Sequence, residues 1–292
     1  MKSKQKIRTL FGLLLLIAIL AFFGFYLNNH PAIINTLSRA NPWLIATLIL
    51  CYGVMMLWWM EIYNTTLSLC GNRLGNKENM LLSIYSTLAN FFLPLQSGPG
   101  VRAGYLKKRH KVPITSYIFA SLIYYAIYAI ISAAFLFVAS TYWWLAIPSA
   151  ILAGIISYVI IYLAKKRFTK KGKQLSFNFT KKKMLRLFLL TLGQLATQAL
   201  IYGIELNSLQ IPITIRRVIS YTGAANFSLF VSLTPGAIGF REAFLEFSRQ
   251  LHHFSTNAIL AANIIDRGVF IIFLGILFLI MLATHARDKL KI

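Results

Sequence analysis

The sequence predicts an all-α polytopic membrane protein, with about six full spans plus two re-entrant helical hairpins arranged as inverted-topology repeats. Three observations carry that expectation. The 292 residues are 58% hydrophobic and 13% charged, with a mean hydropathy of +0.66, outside the balance of a soluble domain. Several apolar runs reach the roughly 20 residues that cross about 30 Å of hydrocarbon. Finally, one broken apolar segment occurs twice. Ala89-Asn90-Phe91, Leu93 and Pro99-Gly100 recur at a shift of 136 as Ala225-Asn226-Phe227, Leu229 and Pro235-Gly236. Interrupted hydrophobic segments in matching halves are a pointer to a transporter's binding site. No polar stretch is long enough to bury a core of its own, so a single membrane domain covers 1–292.

The net charge of +23, from 30 Lys+Arg against 7 Asp+Glu, sits in short blocks beside apolar spans. That placement follows the positive-inside rule, with attraction to anionic lipid headgroups, and argues against nucleic acid as a partner. The blocks orient each element in turn. Lys2, Lys4, Lys6 and Arg8 hold the N-terminus inside ahead of span one, about 9–27. Its apolar run is too long for a signal peptide and no Ala-x-Ala site follows, so it reads as a retained span. The linker 28–41 lies outside, and span two, about 42–64, returns to Arg73 and Lys77.

Met80–Gln96 is apolar enough for a crossing, yet Lys107, Lys108, Arg109 and Lys111 follow it and also belong inside. Two basic blocks on one side require an even number of crossings, so this segment enters and turns back. Pro94, Gly98, Pro99 and Gly100 supply the break, since proline lacks a donor and clashes within a helix. Such a hairpin is tolerated at depth only inside protein or beside a watery cavity. Span three (about 114–139) leads out to the aromatic belt Tyr142-Trp143-Trp144, and span four (about 145–164) returns. The basic cytoplasmic loop, about 165–183, opens the stretch 165–186, which holds ten Lys/Arg and no acid. Span five (about 184–206) goes out, and the last span, about 256–284, ends inside at Arg287, Lys289 and Lys291. The second broken segment, about 213–252, therefore enters from the outer face. Counting both broken segments as full crossings would expel fourteen basic residues. Repeat 1 is then about 42–139 and repeat 2 about 184–284, with Glu61 and Glu205 ending equivalent spans.

The chemistry concentrates at the breaks. Gly98-Pro99-Gly100-Val101-Arg102 and Pro235-Gly236-Ala237-Ile238-Gly239-Phe240-Arg241-Glu242 each set backbone N–H groups and one arginine in or near the bilayer. Orphan donors and the positive end of a helix suit an anion, above all phosphate, and arginine adds a fork that grips phosphate at two points. Gly98, Gly100, Gly236 and Gly239, with Arg102 and Arg241, are thus candidate headgroup ligands. The simpler alternative is that the glycines permit the bend and the arginines reach to the interface. Asn90 and Asn226 either coordinate a headgroup or bond the open backbone of the hairpin. Asp266 and Arg267 lie inside the last span, where charge is costly and marks function by default. As neighbours they do not face each other, so Arg241 is the expected partner of Asp266, and Glu242 or Glu246 of Arg267. Glu61 and Glu205 complete the candidate charge network.

Other signals are weak. No Walker A spacing, metal-ligand spacing or catalytic constellation stands out, so no cofactor, metal or enzyme activity is expected. His252-His253 reads as a wet interfacial pair. Cys51 and Cys70 would stand about 28 Å apart on a helix, too far for a disulfide.

Two stretches resemble a known family. Ala89-Asn-Phe-Phe-Leu-Pro through Gly98-Pro-Gly-Val-Arg-Ala-Gly-Tyr-Leu-Lys-Lys-Arg109 is one, and Thr234-Pro-Gly-Ala-Ile-Gly-Phe-Arg-Glu-Ala243 through Ala261-Ala-Asn-Ile-Ile-Asp-Arg267 is the other. They are similar to the flippase-like membrane-domain family, the lysylphosphatidylglycerol synthetase transmembrane region. The resemblance implies an integral cell-membrane protein that moves lipid between leaflets, while the basic blocks place both termini in the cytoplasm. It also implies a stand-alone member without the soluble aminoacyltransferase domain. Partners would be membrane lipids, either anionic phospholipid or polyprenyl phosphate, with a lipid-modifying enzyme in trans as the alternative role. Tyr124-Tyr125 departs from the pattern, standing where the family's first half often carries an acid–Arg pair.

Overall fold

The computed structural model describes residues 41–92, 97–170, 178–230 and 240–290. Span one, Pro94, Pro235, Gly236 and Gly239 lie outside the described residues. The described elements are all helices. α1 (Pro42–Ser68) starts where Asn41 accepts the Trp43 N–H at 2.9 Å and Pro42 occupies the first turn, a position where its missing donor costs nothing. α2 (Asn76–Phe92) and α3 (Gly98–His110) flank the first break. α4 (Ile114–Leu136) leads through the aromatic turn Trp143–Leu145 to α5 (Ala146–Lys170). α6 (Lys181–Ser208) begins with the Thr180 side chain accepting the Lys183 N–H, and α7 (Ile215–Phe227) repeats that cap with Thr214 and Arg217. After the second break come α8 (Phe240–Phe247), α9 (Arg249–His252) and α10 (Thr256–Leu290).

Five of these helices, α1, α4, α5, α6 and α10, are long and apolar enough to cross a membrane. α2, α3, α7 and α8 are not among them. They pair instead: α2 packs on α3, and α7 on α8 and α9. At the basic end of the first pair, Glu78 of α2 accepts from Tyr105 of α3 at 2.5 Å and pairs with His110 at 2.7 Å.

The arrangement sets α10 at the centre and α5 at the edge. In the most apolar window of α10, 61% of residues are buried, whereas none are in the α5 window. α5 packs on α4 and otherwise presents Ile, Val, Leu and Tyr outward, as a lipid-facing helix should. α1 packs along α6, α2 against α10, and α7 against α4. α7 approaches α4 closely at Gly223. A Cβ there would clash with Leu136 N and sit 2.8 Å from both Phe135 C and Ser132 O of α4. Nearby, the Ser220 hydroxyl donates to the Leu136 carbonyl at 2.5 Å.

One expectation is corrected. His252 is not wet: it is fully buried, while His253 beside it is exposed in a left-handed turn. The His252 Nδ1 accepts the Phe254 N–H at 3.2 Å, which leaves Nε2–H to donate to the Leu245 carbonyl at 3.0 Å. Arg217 ties down the same turn by donating to the carbonyls of His252, at 3.2 Å, and His253. Its guanidinium lies 4.4 Å from the Phe254 ring centre.

A candidate headgroup cavity between the helix pairs

A cavity of about 240 Å³ opens in the middle of the bundle, lined from α1, α2, α4, α6, α7, α8 and α10. At liquid density that is room for about eight waters. Both asparagines, Asn90 and Asn226, line it, as do Arg241, Asp266 and Arg267. The two breaks therefore contribute to one cavity.

Its charged wall is built by α8 and α10. Asp266 accepts from Arg241 Nη1 and from the Tyr52 hydroxyl of α1. One position on, Arg267 donates through Nη2 to Glu242 at 2.5 Å. α10 points Asp266 and Arg267 in different directions, so α8 meets them with opposite charges one residue apart. These side chains are largely buried, 12% and 6% exposed for the first pair, 9% and 22% for the second. Two guanidiniums are thus matched by two carboxylates. Donors remain: Nε and Nη2 of Arg241 and Nη1 of Arg267 have no hydrogen-bond partner among the described residues. The Arg241 guanidinium also lies 5.0 Å from the Tyr202 ring centre, within reach of a cation–π attraction.

Behind this wall Glu205 is wholly buried, with Asp266 and Arg241 its charged neighbours and neither oxygen hydrogen-bonded among the described residues. Its expected counterpart behaves differently. Glu61 is half exposed and pairs with Arg186 of α6 at 2.6 Å, away from the cavity. Glu246 also stays outside, paired with Arg249 at 3.3 Å on its own face.

The first half of the candidate list is placed elsewhere. Arg102 is 2% exposed and does not line the cavity. It donates to the Tyr117 hydroxyl at 2.7 Å and to Ser86 Oγ, and its guanidinium lies 3.7 Å from the centre of the Tyr63 ring. Tyr63 itself lines the cavity, so the Arg102 charge packs on a ring that borders the open space. Gly98 is a packing position: a Cβ would lie 2.5 Å from Asn90 Oδ1 and from Ser86 Oγ. Its N–H is donated to Asn90 Oδ1 at 2.7 Å, and this bond ties the start of α3 to the end of α2 across the break. Gly100 has open space around it and does not line the cavity. Asn226 answers Asn90 from the other half. Its Oδ1 accepts from Tyr128 of α4 at 2.6 Å, while Nδ2 has no partner among the described residues.

A family model described as the lysylphosphatidylglycerol synthase TM region matches residues 9–278. The chain belongs to that family. No curated protein matches it. Membership in the lysylphosphatidylglycerol synthase TM-region family, with the five candidate spans, makes this a multi-pass membrane protein with a lipid-related role. Within that family frame, the residues that sequence reasoning missed are the aromatic and amide lining. Tyr52, Trp59 and Tyr63 come from α1, Tyr124, Tyr125 and Tyr128 from α4, and Gln194, Gln198 and Tyr202 from α6. A signal was there: Tyr124/Tyr128 and Gln194/Gln198 are each four apart, on one helix face within an apolar span.

Proposed function

We propose that the protein is a lipid flippase or scramblase that moves an anionic phospholipid or a polyprenyl-phosphate-linked lipid between leaflets, without ATP and without a catalytic centre of its own. The observation that carries this reading is the polar cavity inside an apolar bundle, with guanidinium N–H groups to spare at Arg241 and Arg267. Carrying a headgroup through bare hydrocarbon is opposed by desolvation of its charge. A cavity of this kind lowers that barrier while the acyl chains stay in lipid. In this reading the cell membrane holds the protein with both termini cytoplasmic, and the two broken segments enter from opposite faces. The packing pattern supports that symmetry. A two-fold exchange of α1 with α6, α2 with α7 and α4 with α10 turns the α2–α10 contact into the α7–α4 contact and leaves α1–α6 unchanged.

Purified protein in vesicles with a tail-labelled fluorescent phospholipid tests the proposal. Leaflet exchange accelerates, and Arg241→Ala slows it at least tenfold. No acceleration with any phospholipid or polyprenyl phosphate would overturn the reading.

A further inference from the structure

The cavity wall outside the arginine pairs is chemically unlike a phosphate site. α6 supplies two amides one turn apart, Gln194 and Gln198, and α1 and α4 supply the rings of Trp59, Tyr63, Tyr124 and Tyr125. Gln194 Oε1 accepts the Tyr124 hydroxyl at 3.0 Å, which leaves its amino group to the cavity. Gln198 makes no hydrogen bond among the described residues. Asn226, 3% exposed, lines the same cavity, and its buried Nδ2 has no hydrogen-bond partner among the described residues.

Each ligand chemistry uses these groups differently. A phosphate only accepts hydrogen bonds and an ammonium only donates them, whereas an amide offers both. Hydroxyl groups also do both, so a polyol satisfies amides that an ion would leave half used. Arg241 pairs with Asp266 and Arg267 with Glu242, so the cavity's cations are already matched and hydrogen bonding to the ring groups must supply the rest of the recognition. Flat aromatic walls favour a ring that presents C–H faces over a flexible chain.

We infer that the cavity, where guanidinium donors meet paired glutamines among aromatic rings, takes a lipid headgroup made of a ring polyol (a hexose or an inositol) joined to phosphate. The phosphate lies beside the Arg241 and Arg267 side chains, both of which line the cavity, and the ring lies among Gln194, Gln198 and the aromatic faces. This rests on the flippase reading and narrows its substrate class.

The test compares tail-labelled phosphatidylinositol, phosphatidylcholine and a glucosyl diacylglycerol in vesicles containing the full chain. Phosphatidylinositol exchanges about tenfold faster than phosphatidylcholine, the equivalent of one to two hydrogen bonds. The glucosyl lipid, which has the ring without the phosphate, falls between them. Gln198→Leu, at a half-buried cavity position, brings the inositol-to-choline ratio to near one. Equal rates for inositol and choline lipids in the unaltered protein would overturn the headgroup assignment and leave the flippase reading standing. An unchanged ratio in Gln198→Leu would overturn the glutamine assignment. If no lipid is accelerated, the flippase reading fails, and calorimetry with inositol 1-phosphate in sugar-free detergent decides the site alone. Binding that Gln198→Leu weakens about fivefold sustains it, and no heat of binding overturns it.

Discussion

Replacing Gly223 by alanine adds one methyl group at a close approach of α7 to α4, and its cost can be worked from the packing. The new Cβ would clash with Leu136 N and lie 2.8 Å from Ser132 O and Phe135 C, while ordinary contact begins at 3.4 Å, so the helices must part by about 1 Å. All three opposing atoms are backbone and cannot rotate aside. Overpacking of this kind costs about 1–3 kcal/mol, a fall in Tm of roughly 2–12 °C on soluble-protein scaling. The displacement reaches the cavity as well. Asn226 stands one turn further along α7 and is held to Tyr128 of α4 at 2.6 Å, so parting the helices stretches a bond in the cavity wall. Gly104→Ala is the control: it lies within α3, and no atom would lie within 4 Å of its new Cβ. There alanine is neutral or stabilising by about 0.5–1 kcal/mol, because it narrows the unfolded ensemble. Melting in detergent, read by fluorescence-detected size exclusion, separates the two. A Gly223→Ala protein that melts within 1 °C of the unaltered chain, or a Gly104→Ala protein that loses as much as Gly223→Ala, would refute the packing argument.

Three further outcomes follow from the charged groups. Asp266→Asn strands Arg241 and removes the charged acceptor of Tyr52, so it costs about 3–5 kcal/mol, whereas Glu246→Gln breaks an exposed pair and costs under about 1 kcal/mol; equal melting of the two would contradict the burial argument. Burial pushes the His252 imidazole down from 6.5 to about 4. Its stabilising contribution is therefore complete above pH 6.5 and is lost as pH falls towards 4, with a slope approaching about 1.4 kcal/mol per pH unit. His252→Asn should flatten that part of the stability–pH curve, and an unchanged curve would count against the buried neutral ring. Arg102→Met removes a buried cation held by Tyr117, Ser86 and the Tyr63 ring without touching the cavity directly. It should lower Tm while leaving the ratio of rates between two headgroups intact, and a changed ratio would show that Arg102 reaches the substrate.

The parts of this molecule that were legible in the sequence are those set by one-dimensional physics. Hydrophobic length gives the five described spans, and breaks at proline and glycine give the helix pairs at α2–α3 and α7–α8. Asp266 and Arg267 announced themselves because charge in an apolar run has few explanations. What stayed hidden depends on which way a helix turns. Arg102 and Arg241 follow equivalent breaks, yet Arg102 packs on the Tyr63 ring and Arg241 borders the cavity. Glu61 and Glu205 lie in spans that the sequence pairs as counterparts, yet one meets Arg186 in the open and the other is buried beside Asp266. The sequence asymmetry between the halves explains the arginines. α8 and α10 bring acids to balance Arg241 and Arg267 and can hold guanidiniums beside a polar space. In the first half Arg102 is held instead by the Tyr117 and Ser86 hydroxyls and the Tyr63 ring, off the cavity. Tyr124 and Tyr125 of α4 line the cavity on that side, so its charged wall, from α8 and α10, and its aromatic wall, from α1 and α4, come from different helices.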